Sequence, residues 1–188
     1  MEDKASRLSQ RFDLTDRIAI VTGASSGLGA TIARTLASQG AHVVVVARRK
    51  ARLDELAREI RGTAAVCDLL DDDQLSGLVT LVSSDVGNPE ILVNVAGDIF
   101  SRDPAQDEPL DAVRRTFELN VIAPFRLCQD VFPYMASLGR GTIVNISSIS
   151  GVVGVPGVPQ ASYAASKQAL SAPAGRSRRR IGSPLPGR

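Results

Sequence analysis

Ser148, Tyr163 and Lys167 are the residues whose types and spacing best suit chemistry. Tyr163 and Lys167 stand four apart, so on a helix they share a face. A free tyrosine ionises near ~10, too high for efficient proton transfer at neutral pH. A neighbouring ammonium favours the phenolate and lowers that value. Ser148 can donate a hydrogen bond to a carbonyl or alkoxide oxygen. Together the three suit proton transfer to an oxygen whose carbon gains or loses hydride. Residue type alone leaves an alternative open, because Y-x-x-x-K also marks an ordinary solvated helix face.

A second group suits anion binding. The apolar run Ile18–Val21 ends in a loop with Gly23, Gly27 and Gly29, and an alanine-rich amphipathic pattern follows. This reads as strand, tight turn and helix N-terminus. The first turn of a helix has unpaired N–H groups and the positive end of the dipole. Glycine without a Cβ lets a pyrophosphate reach the backbone, and a later glycine lets the helix pack on the strand. A plain turn remains the alternative, since the spacing is G-x-x-x-G-x-G. The run His42–Ala47 is followed by Arg48 and Arg49. A carboxylate at that point binds a ribose 2′-OH, whereas arginine suits a 2′-phosphate. These two residues therefore favour NADP(H) over NAD(H); the alternative is a solvated helix start.

The elements that must position these groups alternate. Strands are expected at Ile18–Thr22, His42–Ala47, Thr63–Cys67, Glu90–Asn94 and Gly141–Ser147. Helices are expected at Gly27–Ser38, Lys50–Arg61, from Asp71–Asp73 to about Ser84, over Leu110–Met135 with Pro124 kinking or dividing it, and from Ala161. The acidic run Asp71–Asp73 is read as complementing a helix dipole rather than as a metal site. Alternation of this kind means an α/β fold with a parallel sheet and right-handed crossovers. Its ligand sits beyond the carboxyl ends of the strands.

Composition narrows the class. The chain has 188 residues, 44% hydrophobic and 22% charged, as in ordinary globular domains. No apolar run is long enough to span a bilayer, and the N-terminus has no hydrophobic signal core, so a cytoplasmic protein without a membrane partner is expected. Cys67 and Cys128 are expected to be reduced core side chains, and His42 to be structural. Residues 171–188 carry five arginines and no acid, which leaves the rest of the chain at −3 within the overall +2. An acidic body with an unfolded arginine tail does not make a specific nucleic-acid binder.

The motifs taken together resemble the short-chain dehydrogenase/reductase family. They are T-G-A-S-S-G-L-G (Thr22–Gly29), N-V-A-G (Asn94–Gly97), Asn120, I-V-N-I-S-S (Ile143–Ser148) and Y-A-A-S-K (Tyr163–Lys167), in that order. The resemblance implies a Rossmann-like doubly wound parallel sheet in the order 3-2-1-4-5. It implies a nicotinamide-dependent oxidoreductase that interconverts a ketone and a secondary alcohol. Tyr163 would then be the general acid/base, Lys167 would lower its pKa and hold the nicotinamide ribose, and Ser148 would orient the carbonyl. Asn120 would support a water-mediated proton relay to Lys167. Thr22, Gly23, Ser25, Ser26, Gly27, Leu28 and Gly29 would line the cofactor with Arg48 and Arg49. Asp68 and Leu69 would sit by the adenine, and Asn94, Ala96 and Gly97 would line the adenosine side. Family members are commonly homo-oligomers.

The chain departs from the family pattern in two places. The interval between Ser148 and Tyr163 is longer, with the extra length in the loop Val155–Gln160. After Leu170 the pattern stops, which is expected of a truncation or a reading-frame shift that removes the later strands. The expected organisation is an arm over residues 1–13, a nucleotide-binding domain over 14–172 and a basic tail over 173–188. Strand five would be an open edge with Ile143, Val144 and Ile146 poorly covered. A catalytically impaired nucleotide-binding remnant is accordingly the alternative to an active enzyme.

Overall fold

A computed structural model describes residues 12–154 and 157–171. All but Phe12 and Asp13 of the expected arm lies outside the described residues, as do Val155, Pro156 and the whole basic tail.

Five parallel strands form one sheet: β1 (Ile18–Thr22), β2 (His42–Ala47), β3 (Thr63–Val66), β4 (Ile91–Asn94) and β5 (Thr142–Asn145), in the order β3-β2-β1-β4-β5. The helices are α1 (Gly27–Ser38), α2 (Lys50–Ile60), α3 (Asp72–Asp85), α4 (Leu110–Phe117), α5 (Ala123–Ser137) and α6 (Ala161–Ser171). Strand order and topology match the expectation.

The valine run of β2 shows why the sheet is covered on both sides. Val43 and Val45 join Ala33, Leu53 and Leu56 of α1 and α2 on one face. Val44 and Val46 join Leu75, Val79, Leu127 and Val131 of α3 and α5 on the other. A strand with two buried faces has no need of polar alternation. β5 differs: Ile143 and Val144 are 37% and 41% exposed, and among the described residues the strand pairs only with β4.

Several boundaries differ from the sequence expectation. The strands β3, β4 and β5 are each shorter by one to three residues, because pairing register rather than apolar content ends them. The segment expected as one long helix is divided by a π-helical turn, Glu118–Ile122. Pro124, the second residue of α5, has no N–H to give the Asn120 carbonyl four residues earlier, so regular α bonding fails there. Pro133 lies inside α5. A short 3-10 turn at Ile149–Gly151 was not anticipated. Asp71 caps α3, its Oδ1 accepting from the N–H groups of Asp73 and Gln74, which accounts for that acidic run. His42 bridges β2 to β3, with Nε2 2.9 Å from Thr63 Oγ1. Burial pushes the Cys67 thiol up to about 11, as suits an inert core residue.

Candidate active site

The chain runs outward from β1 to β3, then returns to the other side of β1 for β4 and β5. The crevice at that reversal, beyond the carboxyl ends of the strands, is the expected ligand position. A cleft of ≈ 650 Å³ opens there. Its walls include Gly23, Ser25, Ser26, Leu28 and Gly29 from the glycine loop, and Arg48 and Arg49 after β2. Asp68 and Leu69 after β3, Ala96 and Gly97 after β4, and Tyr163 and Lys167 of α6 line it as well.

Two glycines make the loop possible. Gly23 takes φ +65, and a Cβ there would lie 2.9 Å from the Ala96 Cα. A Cβ on Gly29 would lie 2.4 Å from the Gly23 carbonyl oxygen, so any side chain would push α1 off the loop. No side chain caps α1: Ser26 precedes it without a capping hydrogen bond. The first-turn amides therefore point at the cleft with the positive end of the dipole. Thr22 lies beneath, its hydroxyl oxygen accepting from the N–H groups of Val95 and Ala96 at 3.1 and 3.2 Å. It joins the β1 loop to the β4 loop rather than facing the cleft.

Arg48 and Arg49 are not equivalent. Arg49 donates through Nε to Ser25 Oγ (3.0 Å) and through Nη2 to Ser25 and Ser26 Oγ (2.7 and 2.6 Å). It thus spans from the end of β2 to the glycine loop. Arg48 is exposed on the same rim. Asp68 is tied into its own turn, its Oδ1 accepting from the Leu70 N–H at 3.1 Å.

At the other end of the cleft, Lys167 is buried and donates from Nζ to the Ile146 carbonyl at 3.0 Å. Burial lowers its pKa from the ordinary lysine value. The ammonium lies 5.8 Å from the centre of the Tyr163 ring. A Cβ on Gly97 would meet Lys167 Nζ at 2.9 Å and Asn120 Oδ1 at 3.1 Å, so the lysine and the asparagine flank one point. Asn120, on the π-helical turn, is fully buried. Its Oδ1 accepts from the Asp98 N–H, and its Nδ2 donates to the Asp98 carbonyl and to Ser166 Oγ, each at 3.0 Å. Asn94 is buried as well, its Nδ2 donating to Asn145 Oδ1 at 2.9 Å across β4 and β5.

The two adjacent serines are separated by their hydrogen bonds. Ser147 spends its proton on the Lys167 carbonyl at 2.8 Å. Ser148 Oγ accepts from the Ser150 N–H at 3.2 Å, which leaves its own proton available. Ser150 in turn accepts from Gln160 Nε2 at 3.0 Å, one residue before α6 begins. Gly151 lets this turn touch α6, since a Cβ there would be 2.8 Å from the Gln168 nitrogen.

Thr22, Gly27, Asn94, Asn120 and Ser148 stand behind or beside the cleft wall rather than among its lining residues. Lining residues that sequence reasoning did not single out include Cys67, Asp98, Leu119 and Ile146, and of the two adjacent serines it is Ser147 that lines the cleft. Each adjoins a recognised motif position, so proximity in sequence was the available signal. Among the described residues no cluster of three potential metal ligands occurs. No helix among them is long and apolar enough to cross a membrane.

Residues 17–177 match the sequence pattern of the family described as short chain dehydrogenase. A short chain dehydrogenase of Pseudocercospora fijiensis is 39% identical over 171 residues, covering 86% of this chain and 54% of that protein. The solved structure of 7 alpha-hydroxysteroid dehydrogenase complexed with NADH and 7-oxo glycochenodeoxycholic acid is 37% identical, with a TM-score of 0.80 over 87% of this chain and 65% of that one. A gluconate 5-dehydrogenase from Burkholderia cenocepacia, in complex with NADP and tartrate, is 33% identical, with a TM-score of 0.79 over 87% and 65%. The chain spans 54% to 57% of the length of three curated relatives it matches.

Proposed function

The chain belongs to the short-chain dehydrogenase family, and from that premise we propose an NAD(P)-dependent oxidoreductase that interconverts a ketone and a secondary alcohol, with NADP(H) preferred. The observation that carries this reading is the joint placement of Tyr163 and Lys167 on one wall of a cleft whose other end is the glycine loop.

The residues present fit a dinucleotide. The absent Cβ atoms of Gly23 and Gly29 and the uncapped start of α1 suit a pyrophosphate. Arg49, already reaching Ser25 and Ser26, and its neighbour Arg48 suit a 2′-phosphate. Asp68 and Leu69 suit the adenine end. When bound, the nicotinamide supplies or takes up the hydride.

The chain's own residues would handle the proton. In reduction, the Tyr163 hydroxyl gives its proton to the substrate oxygen. The Lys167 ammonium stabilises the phenolate that remains, and it would hold the nicotinamide ribose. Ser148, with its proton uncommitted, donates to the same substrate oxygen. Asn120 holds the Gly97–Asp98 backbone beside Lys167, where a water-mediated proton return to Lys167 would pass. Oxidation runs these steps backwards.

The test is titration of the purified chain with NADPH and NADH, followed by nicotinamide fluorescence, and then consumption of NADPH with a panel of ketones. Saturable binding that favours NADPH, with turnover lost in Tyr163→Phe, is expected. A second reading, nucleotide binding without turnover, draws on the exposure of Ile143 and Val144 at β5. It forecasts the same binding with no consumption on any ketone.

A further inference from the structure

We propose that Glu108 is a positioning residue for Tyr163, acting by clamping the first turn of α6 from outside that helix. This deepens the reading above and rests on it only for the catalytic consequence.

α6 has no acidic residue in its own first turn. Its N-terminal amides and the positive end of its dipole are therefore not complemented locally. Glu108 supplies what is lacking from a distant part of the chain, 54 residues away. It stands just ahead of α4, where Pro109 directs the chain into the helix. One carboxylate oxygen accepts from the Ser162 N–H at 3.2 Å, and the other accepts from the Ser162 hydroxyl. Ser162 is buried, and its Oγ also lies 3.5 Å from Thr116 Oγ1 in the last turn of α4. Thr116 is fixed by its own bond to the Ala112 carbonyl at 2.9 Å. The start of α6 is thus gripped at two points, by Glu108 just ahead of α4 and by Thr116 in its last turn.

Ser162 is the residue before Tyr163, so the grip acts one peptide away from the phenol. The far part of the helix has separate anchors, because Ser147 and Ser171 bond around Lys167 and Asn120 bonds Ser166. That second set reaches the first turn only from within the helix, through Ser166 Oγ donating to the Tyr163 carbonyl at 2.7 Å, so Glu108 supplies the grip from outside it. Loss of Glu108 should therefore displace Tyr163 while leaving Lys167 and the glycine loop in place. A small displacement of a proton donor is costly to the rate.

The chain contains no tryptophan and two tyrosines, Tyr134 and Tyr163. In a Tyr134→Phe background of the 188-residue chain, tyrosine emission reports Tyr163 alone. Glu108→Ala is expected to raise acrylamide quenching of that emission by about twofold or more, through opening of the first turn. NADPH affinity should be unchanged. Glu108→Gln keeps an acceptor for the Ser162 N–H and a donor for its hydroxyl, so it should restore the parent quenching. Ser162→Ala, a smaller perturbation that serves if Glu108→Ala fails to fold, should raise quenching less but in the same direction. In turnover, Glu108→Ala should lower kcat by about tenfold or more with little change in KM, and Glu108→Gln should recover most of it. Parent-level quenching in both Glu108→Ala and Ser162→Ala would overturn the proposal. Full turnover in Tyr163→Phe would instead sink the acid/base reading, and the quenching result would still decide the role of Glu108.

Discussion

Two charged side chains, Lys167 and Glu90, are almost equally buried, 4% and 5% exposed, at opposite ends of the sheet. Glu90 lies at the amino ends of the strands. It accepts from Arg17, ahead of β1, and from Arg140, ahead of β5, with Arg140 Nη2 3.1 Å from its Oε1. Burial alone would push its carboxyl up, but the two guanidiniums outweigh burial and hold it below the usual glutamate value. Its backbone joins the same strands, bonding the Ile18 carbonyl and the Thr142 N–H. Lys167 lies at the carboxyl ends. Among the described residues no carboxylate pairs with it, and one backbone carbonyl is its partner. Burial therefore lowers its pKa unopposed. One end of the sheet uses a buried charge to hold three strand starts together. The other keeps a buried charge uncompensated, at a cost in stability, where the phenol of Tyr163 stands beside it.

The strongest way to break this contrast is Lys167→Met. Turnover should fall by roughly a hundredfold or more, measured as NADPH consumption. The urea midpoint should stay the same or rise, because a desolvated ammonium has been removed. A lowered midpoint would mean that the lysine is structural after all. Glu90→Gln should do the opposite. It should lose about 2 kcal/mol in urea unfolding, toward the low end for buried pairs because both arginines are partly exposed, and leave NADPH affinity untouched.

Protonation sharpens the same comparison. Glu90 has a folded pKa below its unfolded value of 4.5, so its stabilisation is complete above that value and is lost as pH falls through the folded pKa. Glu90→Gln should flatten this acid limb in urea midpoints measured against pH. Lys167 has a folded pKa below 10.5, so the unfolded chain binds more protons between the two values and stability rises with pH through that window. Lys167→Met should remove the rise.

Smaller effects separate the rims. Arg49→Ala should weaken NADPH by about tenfold and NADH little, while Arg48→Ala should do less, since only Arg49 reaches both serines. Arg34→Ala, which breaks an exposed pair with Glu59, should leave both the urea midpoint and cofactor binding unchanged.

Much of this architecture could be read from the chain because its signals are local. The valines of β2 announce a strand buried on both faces, and the glycines after β1 announce a turn that no side chain could share. Tyr163 and Lys167 declare a common face through their spacing alone, and α6 supplies it. Other features have no local signature. Ser147 and Ser148 are identical in type, and only the position of the Lys167 carbonyl commits the first and frees the second. Arg48 and Arg49 look interchangeable until Arg49 reaches across to Ser25. The interruption at Glu118–Ile122 could be suspected from Pro124, but its form as a π-helical turn that carries Asn120 inward could not.

Sequence by itself therefore determined the alternation of strands and helices, the parallel sheet, the glycine loop and the pairing of tyrosine with lysine. Each of these depends on residues within a few positions of one another, where backbone geometry dictates what can meet. Tertiary structure alone decided that Glu108 would grip the helix of Tyr163, that Glu90 would be paired, and that Lys167 would not. Such contacts join residues tens of positions apart, and their energies follow from burial and distance, which no spacing along the chain encodes.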